Sequence, residues 1–213
     1  MSSKVSAIIL AAGKSQRMGQ PKMVLPWGET TVLGRVIEVF YKAGIQSLLV
    51  VTGGDRDVVE REVSRLKNDY PVTSVYNPDY EKSGMLSSIL TGLSAIPRNN
   101  EAVLIGLGDQ PQVEIATVKN ILDLFDQKRQ GIIIPSYNHR RGHPIFLDSA
   151  KVQELRAYKP DSTLRDFLNS HQGEISYLTA DISVMQDLDT PQDYEKYLGK
   201  NKNDDKQTLS EDS

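Results

Sequence analysis

Short apolar runs alternate along the chain with longer stretches whose apolar residues recur every three or four positions. The runs Val5–Leu10, Ser47–Thr52, Val72–Tyr76, Ala102–Ile105 and Ile132–Pro135 are rich in Val and Ile and bounded by Gly, Pro or Asn, which predicts strands. Between the first two, Val32, Leu33, Val36, Ile37, Phe40 and Ala43 form one helical stripe, with Gly44 placed for a C-terminal cap. A second helix is expected after Asp55, which stands where an N-cap belongs. A third is expected over Ser83–Ile96 and a fourth over Val113–Phe125, where Val118, Ile121, Leu122 and Phe125 share a face. Strand then helix, repeated, predicts an α/β domain of three layers: a mostly parallel sheet with helices on both faces.

After Ser136 the rhythm breaks. A polar turn over Tyr137–Gly142 leads to an extended piece around Pro144–Leu147, then to short helices near Asp148 and Asp161. A last strand is expected at Ile175–Leu178, and a terminal helix begins near Pro191, since proline suits a first turn. Residues 1–199 read as one domain, and 200–213, KNKNDDKQTLSEDS, as a disordered tail almost without apolar residues.

With 38% hydrophobic residues in 213, the chain can bury an ordinary core without disulfides or a structural metal. It has no cysteine, which excludes a thiol nucleophile and a Cys-ligated metal centre. The opening residues lack the pattern of a signal peptide, and no apolar run reaches the length of a membrane span, so a cytoplasmic protein without a membrane partner is expected. The net charge of -3 is unevenly spread: the first 28 residues carry +4 and no acid, and the remaining 185 carry -7. That balance argues against a nucleic-acid partner and leaves room for a small anionic ligand.

The basic segment holds the most informative loop, Leu10-Ala-Ala-Gly-Lys-Ser-Gln-Arg-Met-Gly-Gln-Pro-Lys22, which follows the first strand. Ligands of such sheets bind beyond the carboxyl ends of the strands. Ala11, Ala12 and Gly13 let backbone N–H groups approach a phosphate, and Arg17 and Lys22 supply fixed positive charge. A P-loop would need glycine five residues before Gly13, where Ile8 stands, and the paired glycines of a dinucleotide fingerprint are missing.

This loop resembles the signature of the nucleotidyltransferases that activate small phosphorylated metabolites, most closely the molybdenum cofactor cytidylyltransferase group. Gly84-Met-Leu-Ser-Ser-Ile89, Gly108-Asp-Gln-Pro111, Arg141-Gly-His-Pro144 and Asp187-Leu-Asp-Thr-Pro-Gln-Asp-Tyr194 match the same group in the same order. The resemblance spans residues 5 to 198 and implies the three-layer, Rossmann-like nucleotidyltransferase fold. It also implies a reaction in which a phosphate oxygen of the acceptor attacks the α-phosphorus of CTP and releases pyrophosphate. The acceptor it implies is molybdopterin cofactor, with a recipient molybdoenzyme or its chaperone taking the product.

No protein nucleophile is needed for such a step, so positioning and charge stabilisation carry it, and Arg17, Lys22 and Asp109 are the expected catalytic residues. Leu10, Ala11, Ala12, Gly13, Arg17, Lys22, Ser88 and Asp109 are the expected nucleotide contacts. Ser88 matches a base-contacting serine of related cytidylyltransferases, with Ser87 beside it, although helix capping is an alternative for both. Ala12 favours CTP, because guanylyl-transferring relatives tend to carry glycine there. Magnesium is the expected cofactor, since it takes few carboxylates and completes its shell with phosphate and water. Asp109 is one expected ligand, and the acid before Thr-Pro, Asp189, is by resemblance the other; Asp187 would support the loop.

His139, Arg140, Arg141 and His143 form a compact basic group fit for an acceptor phosphate or a polar heterocycle such as a pterin, with a solvated turn as the alternative. Trp27 is expected to pack its loop and His171 to be exposed. Two rival functions stay open. One is the same transfer to a sugar phosphate, phospho-alcohol or other small phosphorylated metabolite. The other is a nucleotide-binding regulator or cofactor chaperone without transfer, against which the Arg17, Lys22, Asp109 and Asp189 set argues.

Overall fold

The computed structural model describes residues 4–82, 84–128, 131–158 and 162–198. The expected helix start at Ser83, Asp161, near which a short helix is expected, and the expected tail over 200–213 lie outside the described residues. The chain runs β1 (Val5–Ala11), β2 (Pro26–Trp27), β3 (Thr30–Thr31), α1 (Val32–Lys42), β4 (Leu48–Thr52), α2 (Arg56–Leu66), β5 (Val72–Tyr76) and α3 (Gly84–Ala95). It continues through β6 (Ala102–Leu107), α4 (Ile115–Lys128), β7 (Ile132–Tyr137), β8 (Arg140–Arg141), β9 (Ile145–Asp148), α5 (Ser149–Arg156), α6 (Leu164–Ser170), β10 (Ile175–Thr179) and α7 (191–198).

The main sheet has the order β10-β7-β9-β6-β1-β4-β5, with β8 paired to β7. β1 pairs in parallel with β4 and β6, β4 with β5, and β7 with β10. β9 runs antiparallel to both of its neighbours, β6 and β7. The hydrophobic rhythm carries the period of a strand but not its direction, so this reversal leaves no trace in the alternation.

Because side chains alternate across a strand, each central strand feeds two cores. Val5, Ala7, Ile9 and Ala11 of β1 pack with α1, α2 and α4, whereas Ile8 and Leu10 pack with α3, α5 and α6. The same split divides Leu48 and Val50 from Leu49 and Val51, and Ala102 and Leu104 from Val103 and Ile105. Every residue of β1 is buried, which explains why its sequence reads as a continuous apolar run rather than an alternation.

Local signals set the helix ends. Thr31 caps α1 by accepting from Gly34 N, and Gly44 follows the helix at φ 109°, a left-handed conformation that a side chain would strain. Asp148 caps α5 through Lys151 N, and Thr163 and Asp166 form a capping box on α6, each cap contributing about 1 kcal/mol. A third small core joins Met18, Leu25 and Trp27 of the first loop to Leu188 and Tyr197 near the C-terminus. Trp27, at 3% exposure, packs as expected. His171 departs from expectation: its side chain is largely covered, with Nε2 2.6 Å from Glu154 Oε2 and Nδ1 2.8 Å from the Phe167 carbonyl oxygen.

Candidate active site

The carboxyl ends of β1 and β6 lie side by side, Leu10 opposite Leu107, and Gly108 N donates to the Leu10 carbonyl at 2.9 Å. That bond ties the signature loop to the Gly108-Asp-Gln-Pro loop. A cleft of about 630 Å³ opens above them, lined by Leu10, Ala12, Gly13, Lys22, Ser88 and Asp109 among others. Ala11 does not line it, because its side chain turns into the core beside α1. Arg17 stands outside the lining as well, mostly exposed, with Nη2 3.0 Å from Asp189 Oδ2.

Lys22 is the hub of the charged residues. Its side chain is 12% exposed and its ammonium makes a short ion pair with Asp109, itself 16% exposed, and lies 3.4 Å from Asp189 Oδ1. Leu188 N donates to the Asp109 carbonyl at 3.0 Å, which draws the Asp187–Asp189 segment onto the β6 loop. Arg17, Lys22, Asp109 and Asp189, remote in sequence, are therefore linked by ion pairs, with Lys22 and Asp109 in the cleft lining and Arg17 and Asp189 outside it.

Asp187 has a larger part than sequence suggests. It lines the cleft and accepts from Gln110 Nε2 at 2.7 Å. Loss of hydration and the nearby Asp109 carboxylate push its pKa up, and Asp189 adds to this, against the opposing pull of Gln110 and Lys22. Three carboxylates thus crowd one ammonium. No group of three or more His, Cys, Asp or Glu side chains is arranged as a ready metal cage among the described residues. A pair of carboxylates with a local excess of negative charge is nevertheless the donor set that suits a hard divalent cation completing its shell with phosphate and water.

Ser88, in the cleft lining, and Ser87, outside it, lie inside α3 rather than at its cap, and their hydroxyls accept from Asn77 Nδ2 at 3.0 and 2.7 Å. Asn77 is buried at the end of β5, its N–H donating to Thr52 O and its Oδ1 accepting from Asp79 N. Sequence reasoning passed over Asn77, and it also missed Lys14, Gln16, Tyr80, Glu81 and Met85, which line the cleft. Lys14 forms an ion pair with Glu81 across the mouth, which raises the pKa of the amine and lowers that of the acid.

A second cleft of about 650 Å³ shares Gly84 and Met85 with the first. It contains the basic group of the β7–β9 connection, which the structure divides. His139 and Arg140 are exposed at the hairpin tip, and Arg141 donates to the Tyr177 hydroxyl and to Asn169 Oδ1. The His143 ring is largely enclosed, and burial pulls its pKa down to about 4, so it is neutral at pH 7. Arg165, from α6, joins the lining.

Residues 7–175 match the model of the MobA-like NTP transferase domain, and the chain belongs to that family of nucleotidyltransferase enzymes. It is 30% identical to molybdenum cofactor cytidylyltransferase of Escherichia coli over 90% of this chain and 94% of that protein. It is 29% identical to nicotine blue oxidoreductase of Paenarthrobacter nicotinovorans, over 87% and 92% of the two chains. Among solved structures, Rv0371c of Mycobacterium tuberculosis superposes with a TM-score of 0.77 at 29% identity, covering 93% of this chain and 99% of that one. A second structure of Rv0371c is a complex with manganese, at a TM-score of 0.72 and 27% identity over 93% and 100% of the two chains.

Proposed function

We propose that the protein transfers CMP from CTP to the phosphate of molybdopterin cofactor with a divalent cation, magnesium, as its metal. The observation that carries this choice of acceptor is the make-up of the second cleft. Leu86, Ile145, Leu164, Leu168 and Met185 give it an apolar floor, Arg140, Arg141 and Arg165 a cationic rim, and its described lining contains no Asp, Glu, Asn or Gln. A sugar acceptor presents hydroxyls that call for carboxylate and amide partners. A planar heterocycle with an anionic arm instead suits apolar side chains and guanidinium planes, which stack on aromatic faces and meet phosphate.

In the reaction, an oxygen of the acceptor phosphate attacks the α-phosphorus of CTP, forming one P–O bond. The bond from that phosphorus to its bridging oxygen breaks, and pyrophosphate leaves with the electron pair. Asp109 and Asp189 would hold the cation, which supplies neutralisation of the triphosphate charge. The Lys22 ammonium stabilises the charge growing on the α-phosphoryl oxygens, where its near-complete burial makes each interaction stronger than in water. Arg17, exposed at the edge, meets the outer phosphates. Ser88, with Asn77 behind it, addresses the base, and the methyl of Ala12 on the cleft wall favours cytidine.

The resemblance to a protein named as an oxidoreductase makes release of pyrophosphate the deciding measurement. Incubation with CTP, Mg2+ and molybdopterin is expected to release pyrophosphate, with GTP and a panel of sugar phosphates or phospho-alcohols far poorer. Turnover with a sugar phosphate and none with molybdopterin would select the rival acceptor. Nucleotide binding without any pyrophosphate would select a binder.

A further inference from the structure

The loop after β4 grips the signature loop from behind. Gly54 N donates to the Ala12 carbonyl at 2.9 Å. The approach is so close that a Cβ on Gly53 would lie 2.3 Å from Ala12 O, and one on Gly54 2.3 Å from Lys14 Cγ. Asp55 follows. It occupies the N-cap position of α2 yet makes no side-chain cap bond to that helix. Its Oδ2 accepts instead from Ser15, from N at 3.2 Å and from Oγ at 2.6 Å. The Ser15 hydroxyl, its hydrogen given to Asp55, accepts in turn from Lys22 N at 2.9 Å.

An aspartate at an N-cap ordinarily bonds the first turn of its own helix, and Asp55 forgoes that bond to fix a loop 40 residues away in sequence. Ser15 has one hydroxyl hydrogen, so the carboxylate that takes it also orients the lone pair that receives the Lys22 amide. The backbone of Lys22 begins a short 3-10 turn here, and its position decides where the ammonium reaches between Asp109 and Asp189. From this geometry we infer that Asp55 is a positioning residue for Lys22, acting through the Ser15 hydroxyl. The inference rests on the transfer reaction proposed above for its kinetic consequence, but not for its structural one.

Small displacements of a charge-stabilising group fall mainly on the chemical step. Asp55→Ala is therefore expected to lower kcat about 10-fold while the KM for CTP moves less than about 3-fold. Asp55→Asn, which keeps an acceptor oxygen, should recover most of that loss. Ser15→Ala breaks the same relay, so the Ser15→Ala/Asp55→Ala double variant should stay within about 2-fold of the weaker single variant. Losses that multiply, an effect confined to KM, or an Asn variant no better than Ala would overturn the inference. In the nucleotide-free protein, hydrogen exchange at the Ser15 and Lys22 amides should accelerate in Asp55→Ala; unchanged exchange at both would also overturn it. If the wild-type protein released no pyrophosphate, the transfer reading would fall, and the exchange measurement would still decide the role of Asp55.

Discussion

Replacing Lys22 by Met keeps most of the side-chain stem and removes the one charge that Asp109 and Asp189 share. Breaking a fully buried ion pair costs 3–5 kcal/mol because a charge is left alone, whereas an exposed pair is worth roughly 0–1 kcal/mol. Lys22 and Asp109 are 12% and 16% exposed and Asp189 is 34% exposed, which places the loss between these limits, at about 2–3 kcal/mol. For a domain of this size that is a fall in Tm of about 5–10 °C. Lys22 also helps to hold down the pKa of Asp187, so its removal lets that carboxyl rise further above its unfolded value. A carboxyl with a raised folded-state pKa gives the folded chain the extra proton, so stability falls as pH rises through that window. The deficit of Lys22→Met should therefore be larger at pH 7 than at pH 4.5, and millimolar Mg2+ should narrow it. In pyrophosphate release, kcat should fall about 10²–10³-fold, the cost of losing one preorganised charge-stabilising donor. Scanning calorimetry across pH and steady-state kinetics test both arms. A variant as stable as wild type at pH 7, with kcat reduced less than 10-fold, would refute Lys22 as the electrostatic centre of the site.

Asp187→Asn keeps the bond from Gln110 and removes a carboxylate that its neighbours push upward, so at pH 7 it should stabilise the fold slightly, by a fraction of 1 kcal/mol after solvent screening. The gain should vanish as pH falls toward the unfolded value of about 3.9, and a urea titration that finds destabilisation at pH 7 would contradict the crowding of negative charge. Glu81→Gln frees Lys14 for the triphosphate, and the KM for CTP should drop about 2- to 5-fold, the scale of an exposed ion pair; an increase would assign Glu81 to the substrate instead. Arg165→Ala should raise the KM for the acceptor about 10-fold while leaving that for CTP unchanged, and equal shifts in both would detach the second cleft from the acceptor.

The fold was legible because its information is local. The six-residue runs Val5–Leu10 and Ser47–Thr52 declare strands by their length and their Val and Ile content, and the stripe from Val32 to Ala43 declares a helix by its period. The caps at Thr31, Asp148 and Thr163 emerge only from the structure. Within the candidate site, Lys22 and Asp109 stood out because each charge follows small residues beyond a strand end, and both line the cleft, whereas Arg17 stands outside that lining. Asn77 and Asp55 were not found, because their roles arise from contact with residues 10 to 40 positions away that no spacing announces. Asp55 illustrates the limit well: it occupies a capping position, and only its contact with Ser15 reveals that the carboxylate is used elsewhere.

The reversal of β9 matters more to the site than its shortness suggests. In a parallel sheet, the residues before a strand lie at the amino edge, away from ligands. Because β9 runs against β6, with Ile145 opposite Ile105, its leading residues Arg141, Gly142 and His143 arrive at the carboxyl edge. They are held there when Gly142 N donates to Pro135 O at 2.8 Å and His143 N to Val184 O at 2.9 Å. The same edge carries Asp109, and the segment from Val184 leads within five residues to Asp189. One antiparallel strand thus sets the second cleft beside the first, with Gly84 and Met85 as their common wall. A transferase must bring two anionic substrates to one phosphorus. Under the proposed transfer, the basic signature loop would supply charge for one of them and the residues leading into the reversed strand charge for the other.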